Sequence, residues 1–328
     1  DAPPAANPGF QLGAIMGAAA VAGRDKLTLV VSPALKSFGA WVEQLIAEST
    51  GKQGKGIVPV DLEPLGGPED YGDDRLFVHL HLDGDHDEDS HAMLAALKAA
   101  GHPVVTIGLA RREDIGQEFV RWEIATAVAG AVLGIDPFDQ PDVEDAKVQT
   151  RELIRAYEQS GSLGPERSFF EDRDFAFYGP EEPGGSDAVA ILRSYLSPAA
   201  PPAYAAFLTY LERTAENEAF ITRLRVALRD TKRVATLSGF GPRYLHSTGQ
   251  LFKGGPKDGV FLEITRTAPD EISIPGSRAS FAVVQAAQAR GDMEVLEARG
   301  QRVLRVHLKD GSSGLHRLAE AIERAVAA

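Results

Sequence analysis

KLTLVVSP, residues 26–33, is an apolar, β-branched run with a Ser-Pro stop at its end. Such a run fits a strand covered on both faces, as strands of a parallel sheet are. Upstream, Asn7-Pro8 marks the start of a helix over about 8–22. Downstream, a helix is predicted over about 36–50, then short apolar strands at 57–61, 76–82 and 103–108, with a helix over about 89–100 between the last two. This βαβ rhythm predicts an α/β fold built on a doubly wound parallel sheet, helices on both faces. Helices over about 114–133 and 141–160 close the unit, with Asp139 as N-cap and Pro141 in the early turn of the second.

Residues 161–186 (GSLGPERS to YGPEEPGGSD) are rich in Gly, Pro, Ser and acid, with too few apolar positions for a core element, and read as a connection. Beyond them the pattern gives helices over 186–196, 203–213 and 216–230, a strand at 233–237, a glycine-rich passage, a strand at 259–265, a helix over 280–290, a strand at 303–308 and a helix over 312–326. The expected organisation is therefore one α/β domain over residues 1–165 and a second, smaller α/β domain over 166–328. A chain of 328 residues, 44% hydrophobic and 25% charged, is long enough for two cores, since domains run to about 100–200 residues.

Composition narrows the function. A net charge of −13 with no long Lys/Arg run argues against a nucleic-acid partner but leaves room for a small anionic substrate, which needs only one local positive site. No apolar run reaches the ~18 residues needed to span a bilayer; the longest, Leu12–Ala22, is broken by Gly13 and Gly17. No membrane association is expected. The chain has no cysteine, which removes disulfides, thiolate metal sites and thiol nucleophiles together, and a cytoplasmic home is the natural reading. The opening DAPPAANPG, without an initiator Met, has the look of a piece of a longer protein.

Three stretches could carry chemistry. In ESTGKQGKG, residues 48–56, Glu48 follows Trp41 and Leu45 at helical spacing, which sets its carboxylate on the apolar face and would raise its pKa toward that of a useful general base. Spacing alone favours a plainer reading, a glutamate fraying into solvent at a helix end capped by Gly51. In FDQPDVEDAK, residues 138–147, Val143, Lys147 and Ile154 put an ammonium on the stripe facing the core; snorkelling to water is the commoner fate of such a lysine. In GFGPRYLHSTGQLFKGGP, residues 239–256, five glycines surround His246, a residue type able to exchange protons near neutral pH. Glycines after a strand are more often turn residues, and the spacing is not that of a P-loop. A fourth cluster, His79, His81, Asp83, Asp85, His86, Asp87, Glu88, Asp89 and His91, repeats no known metal-ligand spacing. His79 and His81 sit in a strand where alternation puts both on one face, and the rest reads as a solvated loop and an acid-rich helix start.

Together the three stretches resemble phosphoglucose isomerase. ESTGK is similar to the family's ES-x-GK helix end, which carries the base; FDQPDVEDAK to its FDQ-x-GVE-x-GK signature, with Asp142 and Ala146 in place of glycines; and YLHSTGQLFKGG to the segment holding the ring-opening histidine. The histidine segment follows the other two, an order that looks like the isomerase half of bifunctional transaldolase/glucose-6-phosphate isomerases. The resemblance implies a sugar-isomerase (SIS) three-layer α/β/α first domain and a second domain carrying LHSTGQ. It implies Glu48, His246 and Lys147 as catalytic residues, Gln140, Ser247 and Gln250 as substrate-binding residues, a sugar phosphate substrate and no cofactor or metal. It also implies a homodimer in which the histidine comes from the neighbouring subunit. The family's phosphate-binding SKT-x-TT loop and GGR[YF]S arginine segment do not occur in residues 1–328, so a preceding SIS domain, and a transaldolase before it, are expected on the same polypeptide. Two other readings stand beside it: a non-catalytic sugar-phosphate-binding SIS module, or a structural domain of a fused enzyme.

Overall fold

The structure is a computed structural model that describes residues 3–85, 88–142, 144–180, 182–268, 271–309 and 311–327. His86, Asp87 and Val143, all singled out in the sequence, lie outside the described residues.

Strand β1 (Lys26–Val31) pairs in parallel with β2 (Val58–Val60) on one side and β3 (Arg75–Leu82) on the other, and β4 (Val104–Leu109) extends the sheet to the order β2-β1-β3-β4. Helices α1 (Pro8–Val21), α2 (Lys36–Thr50), α3 (Glu88–Ala99) and α4 (Ile115–Leu133) accompany it, and α1 lies along α4. Asn7 caps α1 by accepting from the Gly9 and Phe10 amides. The doubly wound parallel sheet expected from KLTLVVSP is present: Leu27 and Leu29 sit in a core with Val42 and Ile46 of α2 and Trp122 of α4.

The second sheet has six strands in the order β5-β6-β10-β9-β7-β8 and is thus the larger of the two sheets, where the smaller unit was expected. Its strands are β5 (Phe170–Glu171), β6 (Phe175–Tyr178), β7 (Tyr204–Tyr210), β8 (Ala235–Phe240), β9 (Gly259–Arg266) and β10 (Arg302–Leu308). Strands β7 to β10 run parallel, while β5 and β6 form an antiparallel edge. Its helices are α6 (Ala188–Leu196), α7 (Ala215–Lys232), α8 (Gly249–Gly254), α9 (Phe281–Ala298) and α10 (Gly311–Val326). Helix α5 (Glu144–Ser160) packs along α9.

Three expectations fail here. Residues 203–213 are not helix: seven consecutive residues of β7 are buried between β9 and β8, and hydrogen bonding plus burial on both faces outweighs the helical preference of the Ala- and Leu-rich run. Within the supposed connection, Phe175, Ala176 and Phe177 are buried as β6, pairing with β10. Asp139 does not cap α5, which begins five residues later.

One apolar cluster joins the sheets: Ala47 of α2 and Val58 and Val60 of β2 pack with Tyr204, Leu208, Leu237, Leu251 and Phe252. A buried polar seam runs beside it. Arg75 pairs with Glu63 at 3.1 Å and donates to the Val234 carbonyl, while Arg225 donates to the carbonyls of Asp61 and Thr236. Burial alone would raise the Glu63 pKa, but Arg75 and Arg225 offset it and leave the carboxyl below its ordinary value.

Candidate functional site

The three motif-bearing stretches meet at this junction. Helix α2 ends in a loop folded over by Thr50, whose hydroxyl donates to the Ile46 carbonyl and accepts from the Ile57 amide. Lys52 in that loop is buried and pins the FDQ turn: its Nζ donates to the carbonyls of Asp136 (2.7 Å) and Asp139, and pairs with the Asp139 carboxylate at 2.7 Å. This is the work of Asp139. Held there, Gln140 sends Nε2 to within 3.3 Å of Glu48 Oε2.

Helix α8 completes the junction. The Gln250 amide nitrogen donates to the Gly51 carbonyl (2.9 Å) and to Asp142 Oδ2 (2.7 Å), while its oxygen accepts from the Asp142 amide (3.0 Å). The Gly54 amide donates to the Gly254 carbonyl at 2.9 Å. Glycine is needed where these loops touch. A Cβ on Gly51 would lie 2.3 Å from Leu251 Cα, and one on Gly254 would lie 2.3 Å from Asp142 Oδ2. Asp142 is further paired with Arg299 of α9. Asp142 thus carries two side-chain partners of its own.

The outcome for the predicted residues is mixed. Glu48 is half-buried, and burial raises its pKa above the ordinary carboxylate value, with the Gln44 amide and the charge of His246 pulling it back. Gln44 and Gln140 both bond Oε2, at 3.3 Å each, and among the described residues no hydrogen bond is made to Oε1. His246 lies on a short 3₁₀ turn, Arg243–His246, with its side chain exposed. Lys147 is not on the core stripe of α5. Ala146 and Leu153 are buried there, and Lys147 lies a residue to the side, half exposed and paired with Glu144 at 3.4 Å. It still meets His246, because the two residues line one cavity of about 270 Å³ with Thr150, Lys253 and Gln288. Glu48 does not line that cavity, so His246 is the link between them.

Gln250 is placed differently from expectation. Gln250 is fully buried with both amide hydrogens engaged, so it fastens the loops to one another instead of facing a ligand. Ser247 is buried and donates to the Tyr244 carbonyl at 3.3 Å.

Sequence reasoning passed over several groups. Lys253 is buried and pairs with buried Asp292 at 2.7 Å, and Asp292 also accepts from the Tyr244 hydroxyl at 2.6 Å. On another side of α2, Glu43 faces a cleft of about 410 Å³ with Asp61, Arg213, Arg225 and Arg243. Burial, then the charge of Asp61, pushes Glu43 up to about 8, against the pull of the arginines. Burial likewise raises Asp61 to about 6. Nothing in the local sequence signals this cleft, whose members span positions 36 to 247.

No protein-family model matches the chain. Over part of its length it is similar to glucose-6-phosphate isomerases. The isomerase of Rubrobacter xylanophilus is 31% identical over 158 residues, which is 37% of this chain and 37% of that protein. That of Symbiobacterium thermophilum is 32% identical over 184 residues, 45% of this chain and 41% of the other. A probable glucose-6-phosphate isomerase of Haloarcula marismortui is 27% identical over 204 residues, 51% and 45%. The match thus spans less than half the length of these isomerases. Among solved structures, a hypothetical protein of Thermus thermophilus aligns over 98% of the chain at 13% identity with a TM-score of 0.36. The C-terminal domain of a glucosamine-fructose-6-phosphate aminotransferase from Francisella tularensis aligns over 99% at 9% identity with a TM-score of 0.25. At these scores neither adds to the fold described above. Among the described residues no helix is long and apolar enough to cross a membrane.

Proposed function

We propose that this chain carries the proton-transfer residues of a glucose-6-phosphate isomerase, interconverting glucose 6-phosphate and fructose 6-phosphate through a cis-enediol. The observation that carries the reading is Glu48: a carboxyl made more basic by burial, with Oε2 held by two amides and His246 close enough to act on its charge. A base anchored through one oxygen keeps the other for a substrate C–H, and a pKa nearer the working pH favours proton return as well as removal. In this mechanism His246, with Lys147 across the shared cavity, passes a proton between the ring oxygen and the C1 hydroxyl. Glu48 then takes the C2 proton and returns it to C1, so that aldose and ketose interconvert with no net redox change.

In the isomerases this sequence resembles, the phosphate and the enediolate charge are met by an SKT-x-TT loop and a GGR[YF]S arginine, neither of which occurs in residues 1–328. We assign these to a further SIS domain of the same polypeptide, consistent with the partial coverage of the isomerase relatives. The test is a coupled isomerase assay on the full-length polypeptide carrying Glu48→Gln. Turnover is expected to fall by roughly 10²–10⁴-fold; near-normal turnover would overturn the assignment.

A further inference from the structure

The histidine-rich stretch departs from its reading as a solvated loop. Strand alternation puts His79 and His81 on one face of β3, and α3 lays His91 over that face. The three rings stand together, with centroids 5.5 Å (His79–His81), 4.8 Å (His79–His91) and 4.4 Å (His81–His91) apart. One nitrogen from each lies within 4.8 Å of the others.

The finer geometry is that of a ligand set. Zinc held by imidazoles at ~2.0–2.1 Å in a tetrahedron separates ligand nitrogens by about 3.3 Å. His81 Nδ1 and His91 Nε2 are 3.1 Å apart. The opposite nitrogen of His81, Nε2, faces Asp83 Oδ1 at 3.6 Å. A carboxylate behind a ligating imidazole fixes its tautomer and turns its lone pair toward the ion. His79 is buried on the strand while His91 is exposed on the helix, so one ligand is fixed and another is free to close the remaining distance. A hydrogen bond between two imidazoles accounts for the 3.1 Å approach, but not for the third ring or the carboxylate behind His81.

We propose that His79, His81 and His91 bind one divalent transition-metal ion of the zinc class, with Asp83 as the outer partner of His81. Three neutral nitrogen donors select such an ion over magnesium or calcium, which take oxygen ligands. The ion ties α3 to β3 and uses none of the isomerase residues, so the proposal stands or falls independently of the function proposed above.

The test is titration of chelator-treated full chain with zinc and, separately, with cobalt(II) followed by its visible spectrum, together with melting temperature. One ion per chain is expected, with the absorption of four-coordinate cobalt and a melting temperature raised by zinc. His91→Ala removes an exposed ligand without opening the core, and should abolish both the endpoint and the thermal shift. Asp83→Asn should weaken zinc binding by about 10–100-fold. Absence of a stoichiometric endpoint, six-coordinate cobalt, or unchanged binding in His91→Ala would each overturn the proposal; the last would put the ion on the acidic loop.

Discussion

Glu43 and Glu48 lie five residues apart on α2, and burial raises the pKa of both, yet the surroundings fit them for different work. Glu43 faces Asp61 and a row of arginines and is pushed to about 8, so near neutral pH it is largely protonated. Glu48 is raised as well, but it is held through one oxygen by amides and feels the charge of His246. A raised pKa therefore does not by itself nominate a base. The orientation of the free oxygen and the company of a second proton carrier separate the two.

The comparison is most directly broken by exchanging the two losses. Glu48→Gln should cost the full-length isomerase ~10²–10⁴ in turnover, while Glu43→Gln leaves it within a few-fold; the reverse pattern would move the chemistry into the arginine cleft. Next in size is stability against pH. The folded pKa of Glu43 is raised from 4.5 to about 8, so the proton it holds stabilises the folded chain fully at low pH, and this contribution is lost as pH rises through about 8. Asp61, raised to about 6, acts in the same sense at lower pH. Urea unfolding should show stability falling between about pH 5 and 8 by on the order of a few kcal/mol, and Glu43→Gln should flatten that slope. If the slope survives, the cleft is wetter than its geometry implies.

Lys52→Met probes the Glu48 side. It leaves the carbonyls of Asp136 and Asp139 without their donor, at a cost of roughly 1–3 kcal/mol in urea melts. It also frees Gln140, so turnover should drop with little change in overall secondary structure by circular dichroism. Unaltered turnover would show that the FDQ turn keeps its place without the clamp. The smallest effect concerns His246. Its charge lowers the Glu48 pKa, so His246→Ala should move the Glu48 titration, followed by carbon NMR of the carboxyl, upward. A downward move would mean that the histidine does not face the carboxylate.

Much of the frame was legible because it rests on local pattern. KLTLVVSP, the helix at Lys36–Thr50 and the strand at Arg75–Leu82 emerged close to where periodicity put them. The strand at Tyr204–Tyr210 was not legible, since what makes it a strand is its neighbours β8 and β9 and not its Ala-rich composition. At the site, periodicity did place Glu48 on a partly buried face, but it set Lys147 one position too far inward, because Ala146 takes the buried slot. The joining of the loops through Lys52 and Gln250 depends on residues about 90 to 200 positions apart and leaves no short-range mark. The resemblance to isomerases gathered those stretches; only the fold could show which of their side chains face outward and which are spent on one another.

The Gln250 strap has a consequence for exchange with solvent. The Asp142 and Gly54 amides belong to loops, where protons ordinarily exchange fast, yet each donates to an acceptor contributed by the α8 segment. Because Gln250 binds Gly51 and Asp142 at once, neither loop can lift without the other. Their deuterium uptake should be slow and matched, as for a single cooperative opening unit built from three distant pieces of chain.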